Sequence, residues 1–268
     1  FNEDGSELTQ KLPLFLVHEI ESQIKHKFDM FNIELNFMSE SNMEYINTQQ
    51  EINSFNGVFV VTNFLSLTEI RNAEEILDAG EWNPLNKNSR NNEDGTFYKW
   101  MPLFKEHNKA LKNRDFKILE YLDIKIKNIL LEHVISNSEH KGLYVRNCGI
   151  FSSSVATPYY ADNCYPVDSQ NKIISLGYPA EHGFSCAKNL NDVKEWKIRK
   201  GFEHLKYSCI LFLNDDFTNG NLVFPALEAE IKPERNKLVI FPSTENYVHG
   251  SRPLKGVKNC FCSWYESK

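Results

Sequence analysis

The sequence predicts an α+β domain in which helices come first and buttress an antiparallel β-sandwich or barrel formed by the strands that follow. Two observations on pattern and one on size carry this reading. Apolar residues recur at helical spacing in the first half of the chain, whereas from Gly142 onward they gather in short β-rich runs separated by turn residues. Helices followed by strands are the signature of an α+β arrangement. With 268 residues, 41% of them hydrophobic, the chain can bury one substantial core, and a single large domain is favoured over two small ones.

The elements follow in order. Within 13–31, Phe15, Val17, Ile20, Ile24 and Phe28 recur at roughly helical spacing, which predicts a helix in an N-terminal extension, 1–54, packing outside the core. The main domain is expected over 55–268. GVFVVT at 57–62 reads as a strand. Ser66-Leu67-Thr68-Glu69 is a capping-box pattern that opens a helix running to about Ala79, where Gly80 stops it. The Asn-rich stretch from Trp82 to Thr96, with Pro84 and Gly95, reads as a loop. Asp115 to Ile135 is the longest helix, with Ile118, Leu122, Ile126, Ile129 and Leu130 on one face. The strand runs are then LYVRNCGIF at 143, YSCILFLND at 207, GNLVFP at 220, KLVIFPS at 237 and NCFCSWY at 259. DDFTNG at 215–220 carries the turn residues of a hairpin link.

Composition narrows the function classes. A formal charge of -6 provides no basic field for a phosphate backbone, so no nucleic-acid partner is expected. No apolar run approaches the roughly 18–20 residues of a membrane span, so no membrane partner is expected and the protein should be soluble. The six cysteines show neither CxxC nor zinc-finger spacing and are expected to be free buried thiols. The terminus, which begins at Phe1, does not give the compartment; the absence of an Asn-x-Ser/Thr sequon leans against a glycosylated secreted product, and the expected compartment is the cytoplasm.

Two clusters at opposite ends of the β-rich half could carry chemistry: Tyr159-Tyr160-Ala161-Asp162-Asn163-Cys164 and Thr244-Glu245-Asn246-Tyr247-Val248-His249-Gly250. Non-haem iron oxygenases use three protein ligands on one face of an octahedron and leave the other positions for a co-substrate and dioxygen. Residues x and x+2 of a strand share a face, so a His-x-Asp pair at a strand end can chelate. Here that pair reads Tyr160-x-Asp162. A distant His is also needed, and His249 follows the VIFP strand. Lys258, nine residues later, could hold the distal carboxylate of 2-oxoglutarate.

The stretch from Tyr207 to Trp264 resembles the catalytic domain of leprecan-type prolyl 3-hydroxylases, within the iron and 2-oxoglutarate-dependent dioxygenase superfamily. YSCILFLND, GNLVF, PERNKLVIFP, TEN before the second His, and G-V-K-x-C-x-x-x-W carry the resemblance, together with ADNC at 161–164. Weaker similarity extends it over roughly residues 55 to 265. The resemblance implies a double-stranded β-helix, a jelly-roll or cupin-like fold, buttressed by N-terminal helices. It implies Fe(II) and 2-oxoglutarate as cofactors, with ascorbate as a further candidate, and hydroxylation of a prolyl or other peptidyl side chain.

Carried over by position, Asp162 matches the carboxylate ligand, His249 the distal His ligand, and Lys258 the basic residue for the co-substrate. Tyr144 is assigned to co-substrate binding. The first His ligand falls on Tyr160, and a phenol is a poor match for Fe(II). Three outcomes are open: Tyr160 ligates the metal, another group such as His182 takes its place, or the metal site is lost and the domain is kept for binding. The functions weighed are a peptidyl hydroxylase, a non-catalytic scaffold for a protein partner if the metal site is lost, and an oxygenase that keeps the chemistry but acts on a small molecule. The resemblance also adds the endoplasmic reticulum lumen as an alternative compartment.

Overall fold

The short apolar runs become fifteen described strands: β1 Glu51–Phe55, β2 Val58–Thr62, β3 Arg90–Asn91, β4 Phe97–Pro102, β5 Leu143–Ser153, β6 Cys164–Val167, β7 Glu195–Ile198, β8 Leu205–Phe212, β9 Thr218–Asn219, β10 Leu222–Phe224, β11 Ala229–Ile231, β12 Leu238–Pro242, β13 Gly250–Ser251, β14 Leu254–Lys255 and β15 Lys258–Ser267. This computed structural model describes residues 50–79, 90–91, 97–102, 113–134, 142–174 and 185–267. The compact unit that contains them begins at Thr48, so the β1–β2 hairpin belongs to it. The helix expected over 13–31 lies outside the described residues.

Eight strands form a main sheet in the order β1-β2-β12-β8-β15-β5-β4-β3, antiparallel throughout. A smaller sheet, β11-β10-β13, faces it, and a two-way backbone bridge between Tyr160 and His249 extends that smaller sheet. The chain alternates between the two. It leaves β5 in the main sheet for the Tyr160 bridge, returns as β8, and crosses again to β10 and β11. It comes back as β12, crosses to β13, and ends in β15. Winding of this kind, two facing antiparallel sheets sharing one spiralling chain, is a double-stranded β-helix.

Period-two alternation sorts the side chains. Along β15, Cys260, Cys262 and Trp264 face the space between the sheets with Phe212, Phe224 and Phe241, while Phe261 and Tyr265 face the opposite side. That opposite side is covered by two helices, α1 Leu67–Ala79 and α2 Asn113–Ile129, through Ile70, Ile76, Leu122 and Ile126. The capping box opens α1 as expected: Ser66 N–H donates to Glu69 Oε2 at 2.6 Å and Glu69 N–H to Ser66 Oγ at 3.3 Å. The helix expected to reach Ile135 ends its regular turns at Ile129 and continues as a π-helical turn over Leu130–Val134. No described helix is long and apolar enough to cross a membrane.

Two local readings change. β3 falls inside the stretch expected to be loop, and β4, unforeseen, pairs with β5. The DDFTNG segment does not link two neighbours of one sheet. β8 and β10 lie in different sheets, and Thr218–Asn219 instead pairs with Leu254–Lys255.

Candidate active site

The Tyr160–His249 bridge brings the two sequence clusters together. Tyr160 N–H donates to His249 O and His249 N–H to Tyr160 O, both at 2.9 Å. Residues exchanging both bonds lie directly opposite one another with side chains on a common face. The Tyr160 and His249 rings accordingly sit 4.3 Å apart between centroids, tilted by 56°. Tyr159 and Ala161 point the other way, into a cluster with Cys164, Val248, Leu190 and Trp196. That cluster includes residues of the insertion between Cys164 and Lys206, whose β6–β7 hairpin packs behind the site.

His249 is buried, its ring enclosed by Tyr160, Phe241 and Phe224. Its Nδ1 lies 3.0 Å from Tyr247 O, an acceptor that fixes the proton on Nδ1. Its Nε2 then presents a lone pair, has no hydrogen-bond partner among the described residues, and lies 3.9 Å from Asp162 Oδ2. Burial holds the imidazole below its ordinary pKa, against the pull of Asp162, so the neutral, ligating form prevails.

Asp162 is equally buried and firmly oriented. Trp264 Nε1 donates to Oδ1 at 2.8 Å, and Ser208 Oγ donates to Oδ2 at 2.6 Å. Ser243 lies 2.7 Å from Ser208 and, because the Ser208 proton goes to Asp162, supplies the next donor in the chain. A neutral imidazole lone pair and a carboxylate oxygen therefore face each other with no proton between them. One cation bound to both, at the roughly 2 Å typical of nitrogen and oxygen ligands, would relieve that arrangement. The donor set fits a divalent metal at these two positions. Among the described residues no group of three or more His, Cys, Asp or Glu gathers as a metal site.

A cleft runs from His249, beside Asp162, to Lys258. Lys258 opens β15 opposite Ser153, is buried, and donates from Nζ to Gly220 O at 3.4 Å. No carboxylate pairs with it among the described residues. Burial lowers its pKa. Ser153, Thr157, Ser251, Cys260 and Cys262 line the cleft beside it. The two thiols, expected as core residues, are buried but also form this wall; burial pushes Cys260 up to about 11.

Tyr144 is corrected. It is 38% exposed at the start of β5, its hydroxyl donates to Glu266 at 2.6 Å, and it does not line the cleft. Ser153, which does, is nine residues further along the same strand, roughly 30 Å at the rise of an extended chain. The assignment placed Tyr144 on the correct strand but at the wrong end. His182 lies outside the described residues. Sequence reasoning missed the roles of Trp264, Ser208 and Ser243. Only the Trp ending G-V-K-x-C-x-x-x-W offered a signal.

Known proteins resemble this chain in three ways. Residues 187–266 match the model of the 2OG-Fe(II) oxygenase superfamily. Prolyl 3-hydroxylase 2 of Homo sapiens is 27% identical over 96 residues, covering 34% of this chain and 13% of that protein, and prolyl 3-hydroxylase 3 of Mus musculus gives the same figures. The matched stretch thus spans about an eighth of those relatives. Solved structures with a similar trace include a prolyl hydroxylase of Trichoplax adhaerens in complex with a hypoxia inducible factor peptide fragment. Its TM-score is 0.49 at 14% identity, over 88% of this chain and 93% of that chain. A viral collagen prolyl hydroxylase from Paramecium Bursaria Chlorella virus-1 has a TM-score of 0.46 at 14% identity, over 80% and 97%. The stretch that matches the 2OG-Fe(II) oxygenase superfamily model, residues 187–266, holds His249, Lys258 and Trp264, while Tyr160 and Asp162 precede it.

Proposed function

We propose that this domain is an iron- and 2-oxoglutarate-dependent oxygenase that hydroxylates a peptidyl side chain, with a prolyl residue as the acceptor that its prolyl 3-hydroxylase relatives favour. The observation that carries the reading is the buried Nε2 of His249 facing Asp162 across 3.9 Å, at one end of a cleft whose other end holds buried Lys258; among the described residues Nε2 has no hydrogen-bond partner and Lys258 no carboxylate partner. Asp162 and His249 would hold the metal, with Tyr160 at the third position. When bound, iron and 2-oxoglutarate would let dioxygen act as the oxidant, one of its oxygen atoms replacing C–H by C–OH and the other leaving in the succinate formed, with CO2, from 2-oxoglutarate.

The chain's own residues have separable tasks. Trp264 and Ser208 orient the carboxylate so that no rotamer search accompanies metal binding. Tyr247 O keeps the His249 proton on Nδ1. Lys258 offers an ammonium to a carboxylate entering the cleft, where low dielectric strengthens the pairing. Phe151, Ile210, Phe212 and Leu222 keep the cleft wall apolar and restrict water.

The test is an anaerobic titration of the full chain with Fe(II) and 2-oxoglutarate. A weak visible charge-transfer band, followed in air by 2-oxoglutarate consumption coupled to hydroxylation of prolyl peptides, is the expected result. Retention of no metal and absence of the band would overturn the reading.

A further inference from the structure

Beyond Trp264 the barrel ends in a cluster that the chemistry above leaves unused. Glu266 is the next residue of β15 after Tyr265, and it is buried between Tyr144, whose hydroxyl donates to it, and Arg146, which forms an ion pair with it. Arg146 also donates to Gly201 O at 2.6 Å and lies 4.0 Å from the centroid of the Phe202 ring. This closes the last residues of the insertion onto the barrel. Arg146 is therefore paired with a carboxylate.

Arg199 is not. It follows β7, and its backbone N–H donates to Asn163 O at 2.7 Å, while Nη2 donates to Cys164 O at 3.3 Å. These two bonds anchor it on the residues that directly follow Asp162. Its guanidinium lies 5.1 Å from the centroid of the same Phe202 ring, within cation–π range. Phe202 in turn packs against the core cluster that contains Trp264. Among the described residues no carboxylate lies within ion-pair distance of Arg199, although the Asp162 charge reaches it through space. A guanidinium carries five N–H donors in a planar fork that suits carboxylates. One of these is used, the group is pre-oriented by backbone and ring, and it remains partly exposed.

Location decides what such a cation is for. Lys258 and Trp264 are six residues apart on β15, roughly 20 Å along the strand, and Asp162 is bonded at the Trp264 end. Arg199, held on the backbone of Asn163 and Cys164, thus stands at the Asp162 end of the barrel, opposite Lys258, and a peptide that approached the metal pair from this end would pass it. In a chain of net charge -6 it is a local exception to the overall field.

We propose that Arg199, backed by Phe202 and carried on the insertion, is a specificity-determining residue that binds a carboxylate of the peptide substrate, so that acceptor residues flanked by Asp or Glu are selected. The proposal rests on the peptidyl oxygenase reading and specifies its substrate class. Three labelled peptides of equal length test it, each with one Pro flanked by two Asp, two Asn or two Lys. Binding to the full chain is followed by fluorescence anisotropy without iron or dioxygen. The Asp peptide is expected to bind roughly tenfold more tightly than the Asn peptide, the worth of one charge-assisted pairing. Arg199→Gln should remove that preference and Arg199→Glu should reverse it towards the Lys peptide, a change that a merely structural role would not produce. Arg199→Lys, which keeps the charge and loses the fork, should retain a reduced preference. Equal binding of all three peptides, no binding, or a preference that survives Arg199→Gln would overturn the proposal. Turnover of 2-oxoglutarate is measured separately on the same preparations. Charge-selective binding without turnover would sink the oxygenase reading alone, and turnover without charge selection would sink this one alone.

Discussion

Asp162 has both carboxylate oxygens engaged by protein donors, and those donors come from strands 46 and 102 residues away in sequence. Such orientation of a ligating carboxylate is commonly worth 10–100-fold in metal affinity. Trp264→Phe and Ser208→Ala are therefore each expected to weaken Fe(II) binding by roughly that factor in anaerobic titration. Unchanged affinity in both would mean that carboxylate orientation is irrelevant here. Tyr160 poses the sharper question, since its ring already lies against His249. Imidazole suits Fe(II) better than a phenol, so Tyr160→His should raise Fe(II) affinity by about tenfold or more. A lower affinity in that variant would mean that the phenol itself is the preferred third donor. At this scale motif and spacing single out Asp162, His249 and Lys258; His249 and Lys258 line one cleft, and Asp162 lies 3.9 Å from His249 Nε2. Ser208, Ser243 and Trp264 are not singled out, because a serine or an indole acquires its partner only when distant strands meet. Tyr144 was misread for the related reason that position within an eleven-residue strand decides which end of the barrel a side chain serves.

Strand β13 is only two residues long, yet it carries the register of the site, because Gly250 follows His249 directly and pairs with Val223 of β10. The neighbouring chain runs so close that a Cβ on Gly250 would stand 2.9 Å from Thr157 O and 3.0 Å from Tyr159 Cδ1. Backbone cannot yield there without separating Tyr160 from His249. Gly250→Ala is expected to destabilise the domain by about 1–3 kcal/mol in urea unfolding, with a loss of metal affinity that surface substitutions do not cause. A neutral result on both counts would show that the two segments can part without consequence. The long strands β5, β8, β12 and β15 were readable because eight or more positions, or a continuous apolar run, display alternation or burial. Of the smaller sheet only β10 was, as GNLVFP; β11 and β13, of three and two residues, contain too little pattern to distinguish them from turns. DDFTNG shows the same limit: turn residues announce a reversal, but not whether the chain returns to the same sheet or crosses to the facing one.

Two buried titratable groups of the candidate site, His249 and Lys258, are held against their solvation preference, and both couple stability to conditions. His249 is held neutral by burial, below its ordinary 6.5, so the unfolded chain binds more protons than the folded one as pH falls through that value. Its contribution to stability is therefore present above about pH 6.5 and is lost on acidification, a loss that His249→Gln should blunt in a pH series of thermal melts. Lys258 is the larger test. Its pKa is lowered by burial from 10.5, with a backbone carbonyl at 3.4 Å and no carboxylate among the described residues, so the charged form is costly in the folded state. Between the lowered value and 10.5 the unfolded chain again binds more protons, and stability contributed by this group rises with pH. A dicarboxylate entering the cleft would supply the missing counter-charge and stabilise the fold through binding linkage. Lys258→Met should therefore do two opposite things in thermal melts with Mn(II) replacing iron. It should raise the midpoint of the ligand-free protein, by roughly 2–4 °C per kcal/mol recovered in a domain of this size, and abolish the further rise that 2-oxoglutarate gives the parent. A variant that melts lower than the parent without ligand would show that the ammonium is already satisfied, and a variant still stabilised by 2-oxoglutarate would show that the co-substrate is held elsewhere.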